Sequence, residues 1–433
     1  MREIVVTDLT LAGHPDLVDW QSFSPADWDL LIATARTQGV APLLYHALNT
    51  YPERGRRAAG WPESMPAHTH RELQAAYYAT AARNLLLYQE LAHILAALRV
   101  SLSPLLPVIL LKGAALATSV YPRTELRPMR DLDLLVPHQH LATAVQAVQS
   151  LEYREVYPEM TPGLNRVAGH CVHMRGGPQR SVAVELHWGL VAGDTDWRSP
   201  PLDWFWTQTE KWKMDNGGRE RENEAQPPTF SLQPPISNPK SEIRNPKSEI
   251  LTLTPTAHLL YLAAHLMLQH GGAQARLLWF YDLHLLVSRC ENRLDWDELL
   301  ARARLFRWAA ALHAALRGTQ DRFDTPLPHG FLDALAETRD PQATRMVERK
   351  AGLPRTRATN VWHALTSLDW RTRLRLAWGL ACPSPTYMRW RYNPWPAWLW
   401  SVYYPYRWFD IVRDGLSTLW RLVRGRVADK VTR

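Results

Sequence analysis

The chain has 433 residues, 46% of them hydrophobic and 21% charged, with 50 Lys and Arg against 42 Asp and Glu. This composition is that of a globular protein of two or three domains, and it excludes a disordered, collagen-like or coiled-coil chain. The basic charge is local, because residues 351–433 hold 14 Lys and Arg, 4 Asp and Glu, and 9 of the 20 tryptophans. Residues 1–350 carry a net charge of −2, so the excess positive charge belongs to the C-terminal region.

Cysteine usage indicates a reducing compartment, and the length of the apolar stretches predicts no membrane-spanning helix. Cys171, Cys290 and Cys382 are far apart and show no CxxC pair or other metal-type spacing, so the sequence does not predict a disulfide framework. We expect no signal peptide, because charged residues at Arg2, Glu3 and Asp8 interrupt the start of the sequence, and no uncharged apolar stretch reaches the ~18 residues needed to span a bilayer. We therefore expect a cytoplasmic protein, with peripheral attachment to a membrane as the alternative location.

Hydrophobic periodicity changes along the chain and predicts an α/β unit between helical regions. Apolar residues at three- and four-residue spacing predict helices within residues 25–100 and again from about 256 to 351. Between them, short apolar or alternating runs bounded by turn residues predict four strands and a helix over 138–151. The predicted strands are Val108–Leu111, Asp131–Val136, His170–Arg175 and Ser181–Trp188.

A repeated segment separates the predicted α/β unit from the second helical region. Asn238–Ile243 recurs as Asn245–Ile250, and the proline in each copy excludes a coiled coil. We expect a disordered insertion here, with a partner-binding linear motif as the alternative. The predicted regions are a helical N-terminal region (1–100), an α/β core (101–215), the low-complexity insertion (216–250), a helical domain (251–350) and a basic, Trp-rich C-terminal region (351–433).

Acidic residues at alternate strand positions predict a metal site. Asp131 and Asp133 share one face of their strand, because successive side chains point to opposite sides. Two neighbouring carboxylates on a buried strand repel each other and lose hydration, and a hard cation such as Mg²⁺ compensates both. Glu185 and His187 share a face of a later strand in the same way, so three carboxylates would converge if the two strands are neighbours.

Basic residues upstream of the acidic strand predict contacts with phosphate groups. Lys112-Gly113 follows a strand and opens a helix, where Gly113 permits close backbone approach and the helix offers free N–H groups. Arg127 and Arg130 are candidates to clamp triphosphate oxygens, with a structural salt bridge to Asp131 or Glu125 as the alternative. His187 is a candidate accessory residue that orients Glu185, while Lys112 could instead be an ordinary surface lysine.

This ordered set resembles the polymerase-β-type nucleotidyltransferase superfamily, which has an Asp-X-Asp strand and a third acidic strand. More closely, VILLKG (Val108–Gly113), RPMRDLDLLV (Arg127–Val136) and VELHW (Val184–Trp188) resemble a bacterial family of uncharacterised nucleotidyltransferases. The resemblance implies an α+β fold with a polymerase-β-type core, a small mixed sheet with flanking helices, embedded in mostly helical N- and C-terminal regions.

The same resemblance implies a Mg²⁺-dependent transfer of a nucleoside monophosphate from a nucleoside triphosphate to an unidentified acceptor hydroxyl, with release of pyrophosphate. Asp131 and Asp133 would bind Mg²⁺, Glu185 would complete the metal site or act as general base, and Lys112 with Gly113 would hold the triphosphate. Lys112-Gly113 stands where the superfamily has Gly-Gly or Gly-Ser, and 17 residues separate Gly113 from Asp131. These departures motivate a second hypothesis, a catalytically silent binding or antitoxin-type module.

The remaining chemistry-bearing residues are predicted to be structural or to serve attachment. His170 and His173 are expected to be inert, with a role in the site as the alternative, and His258, His265 and His270 are expected to be helix-surface or core histidines. Asp282 is expected to be structural, and Arg276 is its candidate partner across the helix. Arginines and aromatic residues interleave between 389 and 420, which leaves three interpretations open. They are nucleic-acid binding, which we expect least, contact with an anionic membrane, and a helical cap whose tryptophans pack on the catalytic domain with arginines outside.

Overall fold

A computed structural model describes residues 17–50, 61–101, 107–164, 169–176, 182–192, 200–212, 250–271, 275–352 and 356–431, together with residues 7, 8, 10, 11 and 14. The predicted insertion at 216–250 lies outside the described residues, apart from Ile250.

Seven strands of the described residues form one mixed sheet. They are β1 (Val108–Leu110), β2 (Asp131–Leu135), β3 (Arg154–Glu155), β4 (Cys171–Gly176), β5 (Val182–His187), β6 (Thr209–Lys211) and β7 (Ile250–Leu253), in the order β3-β4-β5-β2-β1-β7-β6. β2 runs parallel to β5 and β1 parallel to β7, and the other neighbours are antiparallel. The four predicted strands are confirmed, and β3, β6 and β7 were not predicted.

Helices surround this sheet. The N-terminal ones are α1 (Pro25–Gln38), α2 (Ala41–Thr50) and α3 (Ala67–Ser101), and those within the sheet region are α4 (Lys112–Ser119), α5 (Leu141–Gln149) and α6 (Asp203–Thr207). After β7 follow α7 (Pro255–His265), α8 (Leu277–Arg289), α9 (Trp296–Leu305), α10 (Ala309–Phe323), α11 (Phe331–Glu337) and α12 (Pro341–Gly352). The C-terminal helices are α13 (Arg357–Ser367), α14 (Trp370–Ala381), α15 (Pro385–Tyr392) and α16 (Tyr403–Val431). The α+β fold class is therefore confirmed.

Two hydrophobic cores cover the two faces of the sheet. The first joins α1 and α2 to α7, α8 and α10, and it includes Ile109 and Leu135 of the sheet. The second packs the C-terminal half of α3 and α5 against Leu132, Leu134 and Val184 on the opposite face. The N-terminal helices and the helices after β7, which are 200 residues apart in sequence, thus pack in one core and bury one face of the sheet. The face that carries the acidic side chains lies beside this first core.

The C-terminal helices leave much of their apolar surface exposed. Trp370, Trp378, Trp395 and Trp398 are 64%, 65%, 90% and 71% exposed. Arg407, by contrast, is fully buried and donates a hydrogen bond of 2.8 Å from Nε to the carbonyl oxygen of Leu380. Within residues 389–420 the expected packing is therefore wrong for Trp395 and Trp398, and the expected outward position is wrong for Arg407, whereas Trp390 does pack on Tyr157 with ring centroids 5.8 Å apart. No helix in the described part of the chain is long and apolar enough to cross a membrane.

Candidate functional site

Strand pairing gathers the predicted acidic residues on one face of the sheet. The parallel register of β2 and β5 puts Asp133 directly opposite Glu185. β4 lies antiparallel on the other side of β5, with His173 opposite Glu185 and Cys171 opposite His187. Residues opposite one another in a sheet share a face, as do residues two apart in a strand, so three strands present six polar side chains together. The six are Asp131, Asp133, Cys171, His173, Glu185 and His187.

Lys112 reaches into this acidic face from the turn between β1 and α4. It adopts a φ of 46°, in the left-handed region that side chains other than glycine seldom adopt. Its Nζ donates a hydrogen bond of 2.7 Å to Oδ1 of Asp133 and lies 3.5 Å from Oε2 of Glu185. Oδ1 of Asp133 is also 2.9 Å from Nε2 of the fully buried His187. A cation of the chain itself therefore lies between two of the three carboxylates.

The carboxylates differ in how well their charge is compensated. Burial raises the pKa of Glu185, but hydrogen bonds from His173 (2.9 Å) and His187 (3.3 Å) and the charge of Lys112 outweigh burial and bring this pKa well below its ordinary value. Burial, with repulsion from Asp133 and Glu185, raises the pKa of Asp131 to about 6. Ionised Asp131 is thus the carboxylate with the least local compensation.

Helix α7 contributes buried polar groups to the same site, which sequence reasoning missed. The hydroxyl of Tyr261 is buried and has no hydrogen-bond partner among the described residues. Burial raises the pKa of Tyr261, as do the nearby charges of Asp133 and Glu185, against the opposing effect of Lys112. The ring of His265 lies 6.4 Å from that of His170, which lies 5.3 Å from that of His187. These histidines extend the site toward the first core.

Arg127 is committed to a buried structural ion pair, although its charge still acts on Asp131 of the acidic site. Its Nε and Nη2 donate hydrogen bonds of 2.9 and 2.7 Å to the two carboxylate oxygens of Asp282 on α8, which also accepts one of 2.7 Å from Tyr121. Both members of the pair are buried. The prediction that Arg127 clamps a triphosphate is corrected accordingly, and the predicted pairing of Asp282 with Arg276 is wrong.

Gly113 and Arg130, two further residues predicted to contact phosphate, lie in different surroundings. A Cβ on Gly113 would collide with Nη1 of Arg127, so close packing of this guanidinium already requires glycine at position 113. Arg130 has an exposed side chain immediately before Asp131. Contact of Gly113, Lys112 or Arg130 with phosphate stays a prediction.

Several side chains in the site are of the types that bind metal ions. Three groups have ligand atoms within 4.8 Å of one another, namely Asp133, Glu185 and His187, then Cys171, His173 and Glu185, and then His170, Cys171 and His187. The carboxylate oxygens of Asp131, Asp133 and Glu185 are the hard donors that Mg²⁺ prefers. The raised pKa of Asp131 fits a cation there, because a divalent ion would offset the repulsion from the two neighbouring carboxylates.

Comparison with known proteins adds one finding. The profile of a protein family described as "Uncharacterised nucleotidyltransferase" matches residues 24–324, which is more than half of the chain and includes the whole acidic site. No curated protein and no solved structure matches the chain. The matched range ends before the basic, Trp-rich C-terminal region.

Proposed function

The chain belongs to this family of uncharacterised nucleotidyltransferases, and on that basis we propose that it is an enzyme that transfers a nucleoside monophosphate from a nucleoside triphosphate to an acceptor hydroxyl and releases pyrophosphate. The observation that carries the proposal is the pairing of Asp133 with Glu185 on adjacent parallel strands, with Asp131 on the same face. Such a group of carboxylates on one face of a sheet suits the binding of a metal ion that coordinates phosphate oxygens.

In this proposal Asp131, Asp133 and Glu185 hold Mg²⁺. Bound Mg²⁺ would neutralise the carboxylates and the triphosphate and would stabilise charge that develops on the transferred phosphoryl group. Glu185 is held on both carboxylate oxygens, by His173 at Oε1 and by His187 at Oε2. This support fixes its orientation, whether it completes the metal site or accepts the proton of the acceptor hydroxyl.

The proposed nucleotide contacts are Lys112, Gly113 and Arg130. Like charges repel, so Lys112 would not keep its contact with Asp133 beside a divalent cation, and its ammonium would then be available to triphosphate oxygens. Arg130 is exposed and adjoins Asp131, so it can reach a ligand at the rim of the sheet. Arg127 acts indirectly in this proposal, because it holds the turn at Gly113 against helix α8.

A transfer assay tests this function. The purified full chain, Mg²⁺ and a cell extract are incubated with each α-labelled nucleoside triphosphate, and labelled product is separated from nucleotide. We expect Asp131→Asn/Asp133→Asn to abolish product, and the matched control Glu155→Gln, an exposed carboxylate on β3 of the same sheet, to retain it. Labelled product that is unchanged in the double variant would refute the assignment.

A second candidate function, nucleotide binding without turnover, is supported by Lys112. Its ammonium already bridges Asp133 and Glu185, so the acidic face is partly neutralised by the chain alone. Calorimetry that detects triphosphate binding, with no pyrophosphate release in any extract, would favour this binding module over the enzyme.

We also propose that the C-terminal region contacts an anionic membrane surface. Residues 351–433 hold the excess of arginines, and α13–α16 expose several tryptophans. An apolar groove of about 600 Å³ between α13 and α14 adjoins this surface, lined by Met160, Thr356, Asn360, Val361, Ala364, Leu376 and Leu380. Exposed aromatic rings beside cationic side chains are typical of proteins that bind at the membrane interface.

A further inference from the structure

Cys171, His173 and Glu185 form a cluster that the proposed transfer reaction does not use in full. Cys171 and His173 are two residues apart on β4, and Glu185 lies opposite His173 on β5. Their ligand atoms lie within 4.8 Å of one another. A thiol and an imidazole have no part in the proposed Mg²⁺ set, because Mg²⁺ prefers oxygen ligands.

The distances in this cluster match those between ligands of one tetrahedral ion. A zinc–sulfur bond of about 2.3 Å and a zinc–nitrogen bond of about 2.0–2.1 Å at the tetrahedral angle separate sulfur from nitrogen by about 3.6 Å. Sγ of Cys171 lies 3.6 Å from Nε2 of His173 and 3.9 Å from Oε2 of Glu185. The sulfur of Cys171 is therefore already close to the separations from nitrogen and oxygen that such an ion requires.

The imidazole of His173 lies against Glu185 and is open to solvent. Its Nδ1 lies 2.9 Å from Oε1 of Glu185, which leaves Nε2 directed toward the Cys171 sulfur. The side chain of His173 is 43% exposed, so an ion can reach the cluster from solvent.

We propose that Cys171, His173 and Glu185 bind Zn²⁺ or a similar borderline transition-metal ion through Sγ, Nε2 and Oε2. Three protein ligands leave a fourth position open, as in zinc sites that bind water or substrate. His170 and His187 flank the site, with Nε2 of His170 lying 3.9 Å from the Cys171 sulfur. Glu185 belongs to this set and to the Mg²⁺ set, so the two ions would share its carboxylate.

Binding of the metal alone tests the proposal. The full chain is stripped of metal with a chelator, incubated with Zn²⁺ in the presence of excess Mg²⁺, desalted and analysed for zinc by mass spectrometry. A parallel sample receives Co²⁺, whose thiolate-to-metal charge-transfer absorption reports a bound cysteine. We expect one zinc ion per chain, and this absorption with Co²⁺.

Cys171→Ser and His173→Ala should each weaken zinc binding more than about 100-fold. Removal of a residue that only supports a ligand typically weakens metal binding by about 10- to 100-fold, so a larger loss indicates a direct ligand. Cys290→Ser is the matched control, because Cys290 is also buried but lies at the end of α8. His173 is part-exposed, so His173→Ala is expected to fold even if Cys171→Ser does not, and thermal unfolding of each variant checks this. No stoichiometric zinc in the wild type, or an unchanged cobalt absorption in Cys171→Ser, would overturn the proposal.

This experiment contains no nucleotide, so its result is independent of the transfer assay. Asp131→Asn should bind zinc like the wild type, because Asp131 belongs only to the Mg²⁺ set. Weaker zinc binding in Asp131→Asn to the same extent as in His173→Ala would place the ion at the acidic pair and contradict the assignment.

Discussion

Nζ of Lys112 lies 2.7 Å from Oδ1 of Asp133. The ammonium group of Lys112 therefore occupies a position beside the carboxylate that is proposed to bind a divalent metal ion. The side chain reaches this position because Lys112 takes a left-handed backbone conformation at the end of β1. For a residue other than glycine this conformation costs on the order of 1 kcal/mol, which the contact with two carboxylates offsets. At the proposed metal site, Lys112 and a divalent cation would therefore compete for the same oxygens.

Lys112→Gln is expected to destabilise the metal-free protein and to strengthen Mg²⁺ binding. The variant leaves Asp133 and Glu185 without their cation, and loss of one partner of a buried ion pair costs about 3–5 kcal/mol. Urea unfolding in chelator and in Mg²⁺ measures both effects, and Mg²⁺ should restore more stability to the variant than to the wild type. The control is Arg175→Gln, which removes an exposed cation on β4 and should change neither the stability in chelator nor the stabilisation by Mg²⁺. Equal stabilisation of variant and wild type by Mg²⁺ would refute the competition.

The buried pair of Arg127 and Asp282 is expected to hold the α/β core against α8. Asp282→Asn should lower the free energy of unfolding by about 3–5 kcal/mol, because it leaves the Arg127 guanidinium buried without its counter-charge. The control is Asp321→Asn, which removes one partner of the exposed Arg317–Asp321 pair on α10 and should cost at most about 1 kcal/mol. Urea denaturation of both variants compares the two costs. Similar small losses in the two would contradict a stabilising role for the buried pair.

The acidic face could be predicted from sequence because strand alternation is a local property. Asp131 with Asp133, and Glu185 with His187, follow from a period of two within single strands. The contribution of Cys171 depends on the register between β4 and β5, and that of Tyr261 on a helix 130 residues beyond Asp131. The sequence around Arg127 does not identify its partner Asp282, because the two residues are 155 positions apart. Contacts that depend on the packing of distant elements leave no periodic signal in the sequence.

A buried histidine predicts how stability depends on pH. Burial, with the nearby charge of Arg127, lowers the pKa of His258 to about 3. The folded state keeps His258 neutral, while the unfolded state takes up a proton below pH 6.5, so the contribution of His258 to stability is lost as pH falls from 6.5 toward 3. Each pH unit in this window costs about 1.4 kcal/mol for this group.

His258→Leu should remove this part of the pH dependence. Urea unfolding at intervals between pH 6 and pH 4 should give a slope that is smaller than in the wild type by about 1.4 kcal/mol per pH unit. His170 and His265, whose pKa values are also lowered by burial, contribute to both proteins and cancel in the comparison. His329→Leu, at an exposed position, is the control and should keep the wild-type slope. A slope in His258→Leu equal to that of the wild type would show that His258 is protonated in the folded state.

The exposed tryptophans of the C-terminal helices predict salt-sensitive binding to anionic vesicles. The full chain should co-sediment with vesicles that contain an anionic phospholipid, and less so with phosphatidylcholine alone, because the region is basic. Binding should weaken at high salt, since surface charges are screened within a Debye length of about 8–10 Å already at physiological ionic strength.

Trp378→Ala/Trp398→Ala should reduce the bound fraction several-fold, because both rings are more than 60% exposed and available to the interface. Leu305→Ala, equally exposed but on α9, is the matched control and should bind like the wild type. Equal recovery in the supernatant with both kinds of vesicle would rule out membrane attachment through these helices.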